Sequence, residues 1–494
     1  MPKTNRKNVM MFVMDHLSGR LMGYQGRQDI FTPTMDALSK CGVSFDNCYS
    51  ANPICIPARR SLLTGTCSRT HGDRGFGERI PMPSGFTTLP QAFRDHGYQA
   101  YGVGKLHVYP TRSRVGFDDV TLNEEARRVN FPHELREDDY IRFLARHGHG
   151  YDHHAHGMSH VNYFGRAWHL EEKFHETYWT AREMCEQILR RDPDRPAFWY
   201  CGFTAPHPPL VPPQTFLDLY DSMDFKPPFH GEWSLDFDRL PYALKVYRNQ
   251  WEQQNTPAYI KMAQKHFHAC VTQIDYSIRL IIGTLREEKL LDDTILLFTS
   301  DHGDMLGNHR LYQKSLFYED SAKVPLLIIP AEEDGHFRCA SRDNRLVELR
   351  DIMPTLLDMC GLPIPPGVEG LALTNPDNNR EYLYGELFTD ARATRMVRDR
   401  RFKLIYYPVG NRVQLFDMEN DPDESRDLSD NDTYLDSKNK LMSALMENMY
   451  GEDEKWISGG TLTGEEDQVF AQRQYYPGFG IVDNKGLLLQ RGIW

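Results

Sequence analysis

The chain has 494 residues, of which 40% are hydrophobic and 26% are charged, and its formal net charge is −12. This composition is ordinary for a globular protein, and the length allows a large core with a second, smaller unit. The acidic balance argues against a nucleic-acid partner, so an anionic substrate would need positive charge concentrated at its site.

The first predicted element is the apolar run 9–14, which we interpret as a core strand. The run stops at Asp15, which is short for the apolar region of a signal peptide, and no small-residue cleavage site follows. No run is long enough to span a membrane, and nine cysteines without a repeated spacing argue against a disulfide framework. We therefore expect a cytoplasmic protein with no membrane partner.

Strand-like and helix-like segments alternate through about residue 370. The helix-like segments include one that begins near Thr32-Pro33 and a clear one from about Ala263 to Leu285, with apolar residues at helical spacing. The strand-like runs are apolar on both faces, as in a sheet covered by helices on each side. They are 9–14, 100–103, 198–203, 294–299 and 324–329. The alternation predicts an α/β fold with a doubly wound sheet.

The pattern changes after about Pro376. Two alternating runs, 401–407 and 413–416, flank Gly410-Asn411 and predict a hairpin in a small antiparallel subdomain. We expect an α/β catalytic domain over 1–376, a C-terminal α+β subdomain over 377–458 and a tail over 459–494. The tail would pack on the body or on another subunit, so a homo-oligomer is one alternative.

Polar residues follow four of the predicted strands at the point where each strand ends. In open α/β sheets, ligands bind outside the carboxyl ends of the strands, so these residues are expected to form one site. They are Asp15 and His16, Lys105 and His107, His207, and Asp301 and His302.

The most informative motif lies at 55–65, where Cys55 is followed by a Pro two residues on, by Arg59 and then by Leu-Thr-Gly. A cysteine alone is most often a small buried hydrophobe. This segment resembles the signature of the type I, formylglycine-dependent sulfatases of the alkaline phosphatase superfamily. By that resemblance, a maturation enzyme oxidises Cys55 to formylglycine, whose hydrate is the nucleophile, and Arg59 steadies the hydrated aldehyde and the metal carboxylates.

The run 301–309 resembles the D-[HN]-G-x-x-L-G-x-H motif of the same family, although alone it reads as a polar turn. The resemblance implies that Asp15, Asp301 and His302 bind one divalent metal together with the matured Cys55. His16 departs from the Asp or Gln usual in the family, and its ligation stays open. Ca²⁺ is the family expectation, whereas an imidazole-rich shell suits Mn²⁺ or Zn²⁺ better.

Four further segments resemble family motifs. In 97–107, Lys105 would hold a sulfate oxygen and His107 would take a proton, and their i, i+2 spacing on extended backbone predicts one face. In 205–209, His207 would contact the leaving-group oxygen. Lys314 matches a family lysine, although Gln313 replaces the usual Gly. Residues 416–424 resemble the L-Y-D-L-x-x-D-P-x-E segment of sulfatases.

The resemblance implies an alkaline-phosphatase-like α/β sandwich with a mostly parallel central sheet and a smaller antiparallel C-terminal subdomain. It also implies hydrolysis of a sulfate monoester of a sugar or small organic alcohol. Two alternatives stay open: a phosphonate monoester or phosphodiester hydrolase on the same scaffold, and a non-catalytic sulfoglycan-binding protein. Lys105 and His107 favour the sulfatase. The His-rich stretch 147–156 has no family assignment, and it is a metal-binding tract, a loop lining the substrate pocket or a solvated loop.

Overall fold

A computed structural model describes residues 6–77, 80–124, 138–150, 152–158, 160–161, 163–251, 255–332 and 335–471. Residues 472–494 of the predicted tail, and Tyr151 of the His-rich stretch, lie outside the described residues. The predicted fold class, an α/β fold with a mostly parallel main sheet and a smaller antiparallel sheet, is confirmed.

The strands and helices are as follows. The strands are β1 Asn8–Met14, β2 Val43–Tyr49, β3 Gln99–Gly104, β4 Asp119–Leu122, β5 Ala197–Gly202, β6 Thr294–Ser300, β7 Leu326–Ile329, β8 Ser341–Glu348, β9 Leu383–Leu387, β10 Thr394–Arg398, β11 Phe402–Tyr407, β12 Arg412–Asp417, β13 Ile457–Ser458 and β14 Thr461–Leu462. The α-helices are α1 Pro33–Leu38, α2 Cys55–Thr64, α3 Ser68–His71, α4 Leu89–Asp95, α5 Asp139–Arg146, α6 Glu176–Leu189, α7 Gln214–Asp218, α8 Tyr242–Trp251, α9 Pro257–Glu287, α10 Glu319–Ala322, α11 Ile352–Met359 and α12 Leu435–Asn448.

Among the described residues, the main sheet has eight strands in the order β4-β3-β5-β1-β6-β7-β2-β8. Neighbouring strands are parallel except at β7, which runs antiparallel to both β6 and β2. All five predicted strands are present. The sequence pattern missed β2, β4 and β8, because their mixed polar and apolar residues do not form the continuous apolar runs that mark a doubly covered strand.

The central strand β1 shows why its sequence is apolar throughout. Alternate residues of a strand point to opposite faces, so Met10 and Phe12 enter the core that contains α6 and α9, whereas Val9 and Met11 enter the core that contains α2, α4 and α11. Every residue of β1 is buried. The helices on both faces leave the ends of the strands as the place where polar side chains can gather.

The C-terminal part forms a second sheet in the order β12-β11-β10-β9, with every pair antiparallel. The predicted hairpin is confirmed as β11 and β12, and its turn places Gly410 and Asn411 at φ of 80° and 48°. Helix α12 packs on this sheet through Leu441 and Leu445. No described helix is long and apolar enough to cross a bilayer.

Candidate active site

The carboxyl ends of β3, β5, β1 and β6 lie side by side, because these four strands are neighbours and parallel. Met14 pairs with Ser300 at the last position of the β1–β6 register. The next residue on each strand is an aspartate, so Asp15 and Asp301 meet at the edge of the sheet, and both are fully buried.

Helix α2 carries Cys55 into this site at its first residue, after Ile54 in extended conformation. Arg59 lies one turn later, and residues four apart in a helix share a face. Both side chains therefore reach the same carboxylates, and Cys55 is 0% exposed and Arg59 1% exposed. The Cys-x-x-x-Arg spacing thus has a direct structural reason.

Three groups surround the Cys55 sulfur. Lys314 Nζ lies 2.9 Å from Cys55 Sγ, His302 Nε2 lies 3.2 Å away and Asp15 Oδ1 lies 3.9 Å away. These groups are a cation, an imidazole and a carboxylate, and each is 40 or more residues from Cys55 in sequence. The side chain at position 55 is therefore the point on which the site converges.

Asp15, Cys55, Asp301 and His302 form a candidate metal centre, since one ligand atom of each lies within 4.8 Å of the others. His302 Nε2 lies 3.7 Å from Asp15 Oδ1 and 3.6 Å from Asp301 Oδ1. His302 Nδ1 donates to the carbonyl of Gly303 at 3.0 Å, which leaves Nε2 as the ligand atom. Two carboxylates and one imidazole at this spacing fit a divalent cation.

Arg59 and Lys105 neutralise these carboxylates from the other side. Arg59 Nε donates to Asp301 Oδ2 at 2.8 Å, and its Nη2 lies 3.4 Å from Asp15 Oδ2. Lys105 forms an ion pair with Asp15. Arg59 Nη1 also donates to the carbonyl of Lys105 and to the hydroxyl of Tyr200. The guanidinium is thereby fixed in its orientation.

His16 and His207 stand together at the edge of the candidate metal centre. Their rings are 4.2 Å apart, and they group with Asp15 as a second set of ligand atoms. His16 Nε2 lies 3.7 Å from Asp15 Oδ1. His207 Nδ1 donates to the carbonyl of Pro208 at 2.6 Å.

The charges shift several pKa values. Burial alone would raise the pKa of Asp15, but the charges of Lys105, His207, Lys314 and Arg59 hold it well below its usual range. Burial and Asp15 work to raise the pKa of the Cys55 thiol, yet Lys314, His302 and Lys105 bring it below its usual value. Burial lowers the pKa of His16 well below its usual value, and Lys314 adds to the effect.

His107 is placed differently from its neighbour Lys105. Strand β3 ends at Gly104, and His107 has a left-handed backbone with φ of 58°, so the premise of extended backbone through residue 107 is wrong. The ring of His107 packs edge-on against Phe76, and its backbone N–H donates to Glu124 Oε1 at 2.9 Å. Lys105 points inward to Asp15 instead.

The remaining predicted site residues, Asp15, His16, Cys55, Arg59, Lys105, His207, Asp301, His302 and Lys314, are brought together in one cluster. The sequence reasoning missed Asp304, which accepts from His16 Nδ1 at 2.6 Å. It also missed Tyr163, which donates to Asp304, and Tyr200. Asp304 stands inside the 301–309 motif, but no local pattern signals a partner 288 positions away.

The His-rich stretch lies beside this cluster. His207 lines a small cavity together with four other histidines, which are His153, His154, His156 and His160. Burial lowers the pKa of His153 and of His156 to about 3, so both imidazoles are neutral at ordinary pH. The candidate metal groups found among the described residues do not include this stretch.

Several known proteins are similar to this chain. The Sulfatase family model matches residues 7–362, and the model for the C-terminal part of N-sulphoglucosamine sulphohydrolase matches residues 307–450. An arylsulfatase of Clostridium perfringens is 31% identical over 472 residues, which cover 92% of this chain and 97% of the relative. A choline-sulfatase of Rhizobium meliloti is 29% identical over 445 residues, covering 87% and 83%.

Solved structures share the fold. A phosphonate monoester hydrolase of Agrobacterium radiobacter superposes with a TM-score of 0.77 at 21% identity, covering 90% of this chain and 95% of that one. A protein solved in complex with its substrate D-glucosamine-2-N,6-O-disulfate has a TM-score of 0.71 at 21% identity, covering 90% and 97%. At these identities the likeness is one of fold.

Proposed function

The chain belongs to the sulfatase family, and from that membership we propose that it hydrolyses sulfate monoesters with a nucleophile made from Cys55. The observation that carries the proposal is the surroundings of Cys55. A residue that is fully buried, yet faced by a lysine at 2.9 Å and by an imidazole at 3.2 Å, is in a reactive environment rather than an apolar core.

Formylglycine at position 55, produced by a maturation enzyme, would supply the nucleophilic oxygen of a hydrated aldehyde. The Cys55 sulfur then stands where that oxygen would lie. Because Cys55 begins α2, the backbone dipole of the helix also favours negative charge at this position. Arg59, one turn later, would hold Asp15 and Asp301 in place and would not touch the substrate.

Asp15, Asp301 and His302 would hold one divalent metal, with the matured residue 55 completing the shell. Such a cation supplies Lewis acidity to the nucleophile and to a sulfate oxygen. Ca²⁺ is the metal that the family implies. Mn²⁺ or Zn²⁺ are the alternatives, because a shell with the imidazoles of His16 and His302 suits transition metals better.

Lys105 and Lys314 would bind the sulfate oxygens. Asp15, Asp301 and Asp304 face the cations Arg59, Lys105 and Lys314. Glu124 is a further carboxylate close to Lys105 and Arg59. A divalent cation would therefore add positive charge for the anionic ester, which the overall charge of −12 otherwise repels.

Two histidines would move protons. His207 would protonate the leaving alkoxide from Nε2, since its Nδ1 is committed to the carbonyl of Pro208. His107 is the candidate base for the step that releases sulfate. In this structure its ring packs against Phe76, and His107 lines a small cavity together with Arg59.

The substrate class that we propose is the sulfate monoester of a sugar or small organic alcohol. The two named relatives are an arylsulfatase and a choline-sulfatase. Their names indicate different alcohols, so the alcohol in the substrate of this chain stays open. Cytoplasmic location, homo-oligomer formation and dependence on a maturation enzyme stay predictions.

The test is hydrolysis of 4-nitrophenyl sulfate and of a 4-nitrophenyl phosphonate monoester by the matured protein and by Cys55→Ala. We expect sulfate release that Cys55→Ala abolishes. Faster hydrolysis of the phosphonate would instead favour a phosphonate monoester or phosphodiester hydrolase. The fold is compatible with that alternative, since it superposes on a phosphonate hydrolase with a TM-score of 0.77. Sulfate binding without turnover by matured protein would favour a non-catalytic sulfoglycan-binding protein.

A further inference from the structure

The His-rich stretch contributes to the wall of a small cavity that the catalytic residues do not account for. The ring centroids of His153 and His154 lie 4.2 Å apart, and those of His154 and His160 lie 4.7 Å apart. Thr204 and His207 line the same cavity. The backbone N–H of His207 donates to the carbonyl of Thr204 at 3.1 Å, so these two residues belong to one turn after β5. The cavity therefore adjoins the residue to which we assign protonation of the leaving alkoxide.

The loop that carries the histidines is held by hydrogen bonds to its backbone. His169 Nε2 donates to the carbonyl of Asp152 at 2.8 Å, and Arg166 Nη1 donates to the carbonyl of His156 at 2.9 Å. These bonds lie on either side of His153, which is 5% exposed. The ring of His153 is therefore a fixed part of the cavity wall.

Two buried polar side chains at this cavity have no hydrogen-bond partner among the described residues. They are His153, at both ring nitrogens, and Thr204, at its hydroxyl. Thr204 is 3% exposed. Burial lowers the pKa of His153 to about 3, so its ring is neutral and offers one N–H donor and one acceptor nitrogen. A buried polar group without a partner costs stability, so this pair indicates a ligand that both donates and accepts.

The volume of the cavity limits what it can hold. It measures about 30 Å³, whereas a cavity that binds benzene measures about 150 Å³. A hydroxyl or hydroxymethyl group fits this space, but an aromatic ring or a trimethylammonium group does not. A hydroxyl group is at once a donor and an acceptor, and it therefore matches His153 and Thr204 in chemistry as well as in size.

A second metal ion is the other occupant that a cluster of histidines suggests. Metal sites of this kind bring at least three protein ligand atoms together. His154 Nε2 and His160 Nε2 lie 3.2 Å apart, but no third ligand atom of the described residues joins them within 4.8 Å. The candidate metal groups within the described part of the chain all contain Asp15 instead. The arrangement of the histidines thus favours an uncharged polar group over a cation.

We propose that this cavity binds a hydroxyl group of the alcohol part of the ester, so that His153 and Thr204 select the sulfate of a polyhydroxylated alcohol such as a sugar. The inference rests on the proposed function, which places the leaving oxygen beside His207. A site built to hydrogen-bond a substrate hydroxyl rejects an analogue that lacks it, because the buried polar groups of the site then stay unpaired. An aryl or choline ester would leave His153 and Thr204 in that state.

The experiment measures kcat/KM for sulfate release by full-length matured protein supplied with Ca²⁺. The substrates are the monosulfates of glucose, galactose and N-acetylglucosamine, together with cyclohexyl, cyclohexylmethyl and choline sulfate. The two cyclohexyl esters keep a six-membered ring and an alkyl leaving group but have no hydroxyl groups. We expect the best sugar sulfate to exceed its cyclohexyl counterpart by at least about 100-fold. His153→Phe and Thr204→Val keep the side-chain shape without the polar atoms, and each should reduce this preference by about 10-fold or more.

Stability separates this role from a structural one. Since neither side chain has a hydrogen-bond partner within the described part of the fold, His153→Phe and Thr204→Val should unfold at the same urea concentration as the wild type or at a higher one. His268→Phe is the matched control. His268 lies on α9, is 0% exposed and has no partner for Nε2 among the described residues, but it does not line the cavity. This variant should keep the full preference for the sugar sulfate.

Three results would overturn the inference. They are hydrolysis of every sugar sulfate no faster than of the cyclohexyl esters or choline sulfate, an unchanged preference in His153→Phe and Thr204→Val, and destabilised variants that lose activity equally on all esters. Wild-type protein that releases sulfate from none of these esters, nor from 4-nitrophenyl sulfate, would instead overturn the proposed function.

Discussion

Replacing Arg59 with Met should destabilise the protein, and by an amount that depends on metal. The guanidinium is buried, it donates to Asp301 Oδ2 at 2.8 Å, and it lies 3.4 Å from Asp15 Oδ2. Asp15 keeps Lys105 as a partner in the variant, and Asp301 keeps the backbone N–H of His302 and the His302 ring, whose Nε2 lies 3.6 Å from Asp301 Oδ1. Removing one partner of a buried ion pair costs about 3–5 kcal/mol, and we expect a loss of this size in metal-free protein.

A divalent cation should restore part of that loss. It would neutralise the same two carboxylates, so the stabilisation by Ca²⁺ should be larger in Arg59→Met than in the wild type. For a ligand at 100 times its Kd, the gain is about 2.7 kcal/mol. Arg59→Lys should fall between the two proteins, because an ammonium keeps the charge but lacks the fork that reaches several acceptors.

The assay is urea unfolding of unmatured protein, with and without Ca²⁺, comparing midpoints at a common slope. Arg395→Met is the matched control, because Arg395 is also fully buried and donates to both oxygens of Asp453, at 2.6 and 2.7 Å, in the C-terminal part. It should lose similar stability without any added response to Ca²⁺. An Arg59→Met loss below about 1 kcal/mol, the size of an exposed pair, or equal Ca²⁺ responses in the two variants, would refute the reasoning.

Three further predictions concern the leaving group, the metal and the pH. His207→Gln should lower kcat on an alkyl sulfate by about 10²- to 10⁴-fold, the usual contribution of a general acid, and much less on 4-nitrophenyl sulfate, whose leaving group needs no proton; steady-state rates on both esters measure this. Chelation by EDTA should abolish sulfate ester hydrolysis, and restoring activity with Ca²⁺, Mn²⁺ or Zn²⁺ in turn identifies the metal. His175, buried at the start of α6, accepts from the backbone N–H of Thr177, and burial lowers its pKa to about 3. The unfolded state then binds one more proton than the folded state, so stability is lost as the pH falls from about 6.5 towards 3. Between pH 6.5 and pH 5 the loss amounts to about 2 kcal/mol. His175→Asn keeps a cap acceptor that does not titrate, so urea unfolding at pH 6.5 and pH 5 should show a smaller loss in this variant.

Each of these has a contrary outcome. Equal losses of kcat on both esters would mean that His207 does not serve as the leaving-group acid. Full activity in EDTA-treated protein shown to be metal-free would exclude a catalytic cation. Parallel pH dependence in His175→Asn and the wild type would show that His175 is not the group whose protonation is linked to unfolding.

The order of the motifs along the chain predicted most of the site, because parallel strands deliver their carboxyl ends to one edge. Asp15 and Asp301 are adjacent for this reason, and the spacing of Cys55 and Arg59 gives them one helix face. The apolar runs predicted the central strands of the main sheet. They did not predict strand β8, because an edge strand with alternating exposed residues resembles a loop in sequence.

The rest of the site depends on contacts that no local pattern encodes. The pairing of His16 with Asp304 joins two strand ends, and Tyr163 reaches Asp304 from a segment without a recognised motif. The rule that residues two apart share one face of a strand does not apply to Lys105 and His107. Strand β3 ends three residues before His107, which has a left-handed backbone. Sequence periodicity reports the elements, whereas side-chain partners across elements come only from the folded chain.

The most direct measurement is the mass of the tryptic peptide 41–59 from active protein made with a maturation enzyme. This peptide contains Cys41, Cys48 and Cys55, so the two other cysteines serve as internal controls. We predict the mass loss of a thiol converted to an aldehyde at Cys55, with Cys41 and Cys48 unchanged. An unmodified Cys55 in protein that still hydrolyses sulfate esters would contradict the formylglycine nucleophile.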